Sequence, residues 1–346
     1  MLKGHERGIR CLKFNREGDL LFSSANSKII NCWYAENGNR LGTYNGHTGA
    51  INDLDVNHDT SLLLSASSDE SVRLWDVKSG QQLLRLHHKI PCRAVNFAEG
   101  EKMFLVATDN VFSKPSEIFV YPMGADADTK PMGSFVCGKF KVQKALWGPL
   151  NEAMFTASDN GKVHVWDAQS GKLLHEITDH TRSVQSIEFS KDRSMFLTAS
   201  SDHTARLYDT KTLKLLKTYE SGRPCNGACF SPLMDHVILA GGQPASMVTT
   251  ERADQAGFAT RIYHKVHQEE MALVMGHFGT VTALQFNPNG KSFCTGGEDG
   301  YIRVNFLDDD YFKKLSDEVF YKQDDDDNDN NDDKRSQVAA SSSSAQ

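Results

Sequence analysis

The chain has 346 residues, 39% of them hydrophobic and 24% charged, a size at which roughly 75% of the unfolded surface can be buried on folding; a wholly disordered protein is excluded. No apolar run approaches the roughly 18 residues of a membrane-spanning helix, and Met1-Leu2-Lys3-Gly4-His5-Glu6-Arg7 carries charge where a signal peptide is apolar, so an untargeted cytoplasmic protein without membrane contact is expected. The net charge of −7 sits at one end: twelve acidic and five basic residues follow Leu307, leaving 33 of each sign before it, and a neutral body lacks the basic field that supplies non-specific nucleic-acid affinity.

From the N-terminus onward, one pattern recurs. An aliphatic, aromatic or Cys residue stands at offsets 0, 3 and 5 in Ile9/Leu12/Phe14, Ile51/Leu54/Val56, Cys92/Val95/Phe97, Val142/Ala145/Trp147, Val184/Ile187/Phe189, Cys225/Ala228/Phe230 and Val281/Leu284/Phe286. Successive copies are 42, 41, 50, 42, 41 and 56 residues apart. A repeat of this length marks a stacked or circular array. Period-2 alternation puts offsets 3 and 5 on one strand face and offset 0 on the other. Each triplet is followed by a polar turn such as Arg16-Glu17-Gly18-Asp19 and a second apolar run. A third run ends in Trp33, Trp75, Trp166 or Tyr208, and a fourth follows a turn such as Lys78-Ser79-Gly80-Gln81. Four strands in each of seven units predict an all-β, seven-bladed β-propeller over residues 1–307, because a lone four-stranded sheet cannot cover both faces or its edges.

Polar residues follow the same period. His5, His47, His180 and His277 each precede a triplet by four positions; 18 residues later stand Ser23, Ser65, Thr198 and Thr295, and 22 later Ser27, Asp69, Asp202 and Asp299. The position 28 later is Trp33, Trp75, Tyr208 or Asn305, so only the second unit has His47, Ser65, Asp69 and Trp75 together. Ser65, His47 and Asp69 are the residue types of a hydrolase triad, but a catalytic set is built once, and this one recurs with losses. A structural hydrogen-bond role and no enzymatic activity are therefore expected. The seven scattered cysteines read as reduced packing thiols. Cys225 and Cys229 have no partner pair at zinc spacing, and the remaining histidines show none either, so neither metal nor cofactor is expected.

Insertions break the period in the third unit, around Val111–Ser116 and Gly124–Gly133, and in the sixth, from Gln243 to about Phe258. Such loops on a rigid scaffold are common contact sites. After the last unit, Asp308-Asp309-Asp310 can cap a short helix over 308–322 with Tyr311, Phe312, Leu315, Val319 and Phe320 on one face. The acidic and Ser-rich residues 323–346 have the composition of a disordered tail.

Gly46-His47 and Trp75-Asp76 resemble the opening and close of a WD repeat, and in that family Asp, His, Ser/Thr and Trp form a buried hydrogen-bond chain. A narrower resemblance lies in Gly241-Gly242-Gln243, Val248-Thr249-Thr250, Gly257-Phe258-Ala259-Thr260-Arg261-Ile262-Tyr263-His264-Lys265, Gly276-His277-Phe278-Gly279 and Gly296-Gly297-Glu298-Asp299-Gly300-Tyr301-Ile302-Arg303. These segments, with Gly4-His5-Glu6-Arg7 and Leu41-Gly42-Thr43-Tyr44 near the start, are similar to the i subunit of eukaryotic translation initiation factor 3. The resemblance covers about residues 1–312 and extends into insertions that generic WD repeats lack. It implies a non-catalytic adaptor held by a C-terminal helix of the b subunit, also contacting the g subunit, and supporting mRNA recruitment and scanning on the small ribosomal subunit. The carboxylates it matches to partner contacts are Asp192 and Asp209, and Gln243 matches a position linked to scanning. A WD adaptor in signalling or ubiquitin-ligase assembly is the alternative. The leader Met1-Leu2-Lys3 is shorter than the family's, so a full-length closing strand for the last blade is not expected.

Overall fold

The structure, a computed structural model, describes residues 1–111, 114–124, 126, 129–243, 258–309 and 311–312. Seven four-stranded antiparallel sheets follow one another along the chain. Their first strands are Ile9–Phe14, Ile51–Val56, Cys92–Phe97, Val142–Trp147, Val184–Phe189, Cys225–Phe230 and Val281–Phe286, so each triplet of the sequence spans one strand from end to end. The second blade, for example, continues through Leu62–Ser67, Ser71–Asp76 and Gln82–His87.

The apolar cores lie between blades rather than within them. One cluster joins Leu64, Val72 and Leu84 of the second blade to Cys92, Val95, Phe104 and Tyr121 of the third; another joins Phe22, Ile30 and Tyr44 of the first to Ile51, Leu54 and Trp75 of the second. Each sheet thus completes its burial on its neighbours, which is why repetition must close into a ring.

Closure is made by the N-terminus. Leu2–Lys3 pairs antiparallel with the third strand of the seventh blade, Leu2 opposite Ile302 and Lys3 opposite Tyr301. Two residues are few for a strand, but Leu2 is buried in a cluster with Ile9, Trp33 and Ile302. Gly38, in a first-blade turn with φ +70°, accepts its side chain where a Cβ would collide with Leu2 Cδ2.

The structure corrects one expectation. Offset 0 does not face away from offsets 3 and 5: Ile9, Ile51, Cys92, Val142, Val184, Cys225 and Val281 are all buried. The cause is a β-bulge at the same place in every blade. In the second, Ile51 pairs with Ser67 and Asp53 with Ala66, leaving Asn52 as the extra residue; the same shift occurs at Arg10, Arg93, Gln143, Gln185, Asn226 and Thr282. One extra residue reverses the parity of the alternation, so all three triplet positions reach the same core.

Of the insertions, Val111 and Lys114 form an isolated bridge and Gly124–Gly133 connects the last two strands of the third blade, Ser116–Pro122 and Gly133–Gly138. Residues 244–257, most of the sixth-blade insertion, lie outside the described residues. A second unit of the chain begins at Phe306. Within it the Tyr311 N–H donates to Asp308 Oδ1 at 3.0 Å. The remainder of the expected helix, and the tail, lie outside the described residues.

Candidate functional site: two faces of a closed ring

Four strands per blade divide the connections between two faces. Turns after the first and third strands open on one face; turns after the second strand and the links between blades open on the other. In the second blade His47, from an inter-blade link, meets Asp69, from the turn after the second strand: Nδ1 lies 2.8 Å from Asp69 Oδ2. His47 Nε2 is 2.8 Å from Ser65 Oγ, and Trp75 Nε1–H donates to that same oxygen at 2.9 Å. A consistent assignment runs Trp75 N–H to Ser65 Oγ, Ser65 O–H to His47 Nε2, and His47 Nδ1–H to Asp69. Burial is the largest influence on His47 and lowers its pKa against the opposing carboxylate, keeping the ring neutral. Burial would raise Asp69, but hydrogen bonds from His47, Ser71 and the Thr48 N–H outweigh it and hold the carboxyl well below its usual range. Ser65 is fully buried and its oxygen is occupied by Trp75, so this set locks register rather than presenting a nucleophile.

The other blades show what each missing member costs. In the fifth, His180 bonds Asp202 at 2.8 Å and Thr198 at 2.7 Å. In the seventh, His277 lies 3.0 Å from Asp299 Oδ2 and 2.9 Å from Thr295 Oγ1, with Asn305 in the tryptophan position. In the first, His5 meets Ser23 at 2.8 Å and Trp33 donates to the same hydroxyl. Ser27 there replaces the aspartate, and both His5 Nδ1 and Ser27 Oγ are buried without a partner. With no carboxylate to counter burial, the His5 pKa falls to about 4.

Around the central channel the strand residues stitch blade to blade, a feature the sequence reading missed. Asn52 Nδ2 donates to the Cys92 carbonyl at 2.7 Å, Asn226 Nδ2 to that of Val281 at 2.9 Å, and Thr282 Oγ1 to that of Ile9 at 2.5 Å. Nearer the other face, Gln285, Asp55 and Asn96 accept the backbone N–H groups of Phe14, Phe97 and Trp147, each on the next blade. Lys13–Asp55 at 2.9 Å and Lys144–Asp53 at 2.5 Å cross the channel wall. A polar residue at offset 1 of every triplet was a visible signal, hidden by reading the strand only for its apolar positions.

The three residues matched to partner contacts are split between the faces. Asp192 lies in the turn between Val184–Phe189 and Met195–Ser200, and Asp209 ends Thr204–Asp209. Met195 is paired with Asp209, and the Thr210 N–H donates to the Ser194 carbonyl at 2.9 Å, so the two carboxylates share one face of the fifth blade. Hydrogen bonds from Ser190 and Ser194 push the Asp192 pKa down to about 2, and those from Thr212 lower Asp209; both are ionised at neutral pH. Leu215, paired with Tyr208 next to Asp209, and Leu216 are 42% and 46% exposed on the outer strand of the same blade. Gln243 follows His236–Gly241, and its carbonyl accepts the Thr280 hydroxyl on the opposite face.

The EIF3I family model matches residues 1–317. Among similar proteins, the eukaryotic translation initiation factor 3 subunit I of Dictyostelium discoideum is 43% identical over 321 residues, covering 92% of this chain and 97% of that protein. Those of Drosophila willistoni and Bombyx mori are each 42% identical, over 320 and 322 residues, covering 91% and 90% of this chain and 99% and 96% of theirs. With the ring, the repeated His-centred chains and similarity along nine-tenths of its length, this protein belongs to the subunit I family of eukaryotic translation initiation factor 3.

Proposed function

We propose that the protein is a non-catalytic, cytoplasmic adaptor within initiation factor 3: a rigid ring that grips the C-terminal helix of the b subunit on the face of the fifth blade, takes the g subunit as a second partner, and supports mRNA recruitment and scanning on the small ribosomal subunit. The reading is supported by Asp192 and Asp209, two ionised carboxylates 17 positions apart in the chain on one face of one blade, whose outer strand exposes Leu215 and Leu216. A helix presenting basic groups and apolar or aromatic anchors matches that pairing of charge and grease. Gln243, on the opposite face, is assigned to the scanning role through a separate contact.

Asp192→Lys with Asp209→Lys should abolish capture of a segment from the C-terminal end of the b subunit. Asp192→Asn with Asp209→Asn, which keeps an acceptor oxygen for Ser190, Ser194 and Thr212, should weaken capture while leaving the melting temperature within a degree or so, since exposed charges add little stability. Undiminished capture by the charge-reversed protein removes this site assignment.

A further inference from the structure

On the face opposite Asp192 and Asp209, the channel mouth is lined mainly by arginine, amide and hydroxyl side chains. There the bulges turn seven residues toward the channel mouth, and none is acidic: two are Arg10 and Arg93, the rest amides and a threonine. With Arg182, from the link before the fifth blade, they line a cavity of about 510 Å³ whose wall holds, among the described residues, one carboxylate, Glu298. We propose that this mouth binds a compact anion carrying clustered phosphoryl groups, the chemistry shared by a nucleoside triphosphate and a polyphosphorylated inositol.

The guanidinium geometry carries the argument. Arg10 Nε donates to Asn26 Oδ1 at 2.6 Å and Arg93 Nε to Asp109 Oδ2 at 2.9 Å. Among the described residues each side chain is anchored through Nε alone, leaving the two terminal nitrogens of each fork open. Arg182 makes no side-chain hydrogen bond or ion pair among them. Gln143, also in the wall, is likewise uncommitted. Three planar forks reaching one cavity from three blades suit tetrahedral phosphoryl oxygens, which guanidinium groups bind in bidentate fashion. Packed surroundings and then the Arg93 charge lower the Arg10 pKa, with Glu298 opposing them only in part, a repulsion a bound anion would relieve. The volume falls in the range of small-ligand sites, and a ring wall closed on all sides favours a compact guest over an extended strand.

The full-length protein titrated calorimetrically with inorganic tripolyphosphate in low-salt buffer should bind one equivalent. The Arg10→Gln/Arg182→Gln variant, altered at two exposed side chains, should bind roughly tenfold or more weakly at an unchanged melting temperature. Lys191→Gln on the other face should bind as the parent does. Parallel titrations with ATP and inositol hexakisphosphate then separate the two sources of the chemistry. No binding at millimolar tripolyphosphate, or equal binding by the arginine variant, overturns the proposal. So does a single-stranded oligoribonucleotide that binds more tightly than tripolyphosphate and is lost with the same two arginines, which would make the mouth an RNA contact.

Discussion

His47→Ala and His5→Ala remove the same ring from equivalent places in adjacent blades, and they should not cost the same. Both histidines are buried, 4% and 7% exposed, so the packing loss is similar and largely cancels in the comparison. His5 gives up a neutral hydrogen bond to Ser23 and a longer one, 3.2 Å, to Asn31, about 1 kcal/mol. His47 gives up the bond to Ser65 and also a charge-assisted one to Asp69, adding about 1.5 to 2 kcal/mol. The total stays near 3 kcal/mol because Asp69 keeps Ser71 and the Thr48 N–H while Ser65 keeps Trp75. At about 2 °C per kcal/mol for a domain of this size, His47→Ala should melt roughly 3 to 4 °C below His5→Ala by differential scanning calorimetry. If His5→Ala melts at or below His47→Ala, the carboxylate does not strengthen the chain and the reasoning fails.

Acid should destabilise the ring in two steps. The unfolded chain protonates His5 near pH 6.5, whereas the folded one resists until about 4, so stability is full above about 6.5 and drains away as pH falls through that window; His47, His180 and His277 shift in the same direction. Asp202, lowered to about 2 when folded, adds a second loss as pH falls below the ordinary carboxylate value toward 2. A melting temperature that rises between pH 7 and 5 contradicts this. Leu2→Ala, which empties a buried contact in the closing pair, should cost about 2 to 4 kcal/mol, read as a lower urea midpoint; an unchanged midpoint would mean the ring does not depend on its N-terminal strand. Lys144→Met leaves Asp53 buried without its cation and should cost about 3 kcal/mol, while adding Asp53→Asn should restore most of it in the same unfolding assay. A double variant no better than the single would show that the pair is not coupled.

Much of this protein could be read from residue order alone. A 42-residue period, the 0, 3, 5 triplet and the His, Ser/Thr, Asp and Trp offsets specify seven sheets and their internal hydrogen bonds, because those contacts are local to a blade and recur with it. The match to the subunit I family was legible where Gly241-Gly242-Gln243 and Gly276-His277-Phe278-Gly279 depart from the generic repeat. The bulge that brings Ile9 to the core and turns Arg10 into the channel was not legible, since alternation read residue by residue cannot register one extra residue opposite none. Nor could the order of residues say that Asp192 and Asp209 share a face while Gln243 lies on the other, or that Arg10, Arg93 and Arg182 surround one cavity. Those groupings join residues 17 to 172 positions apart in the chain, and they exist only once strand direction assigns each turn to a face and the closed ring brings distant blades around a common axis.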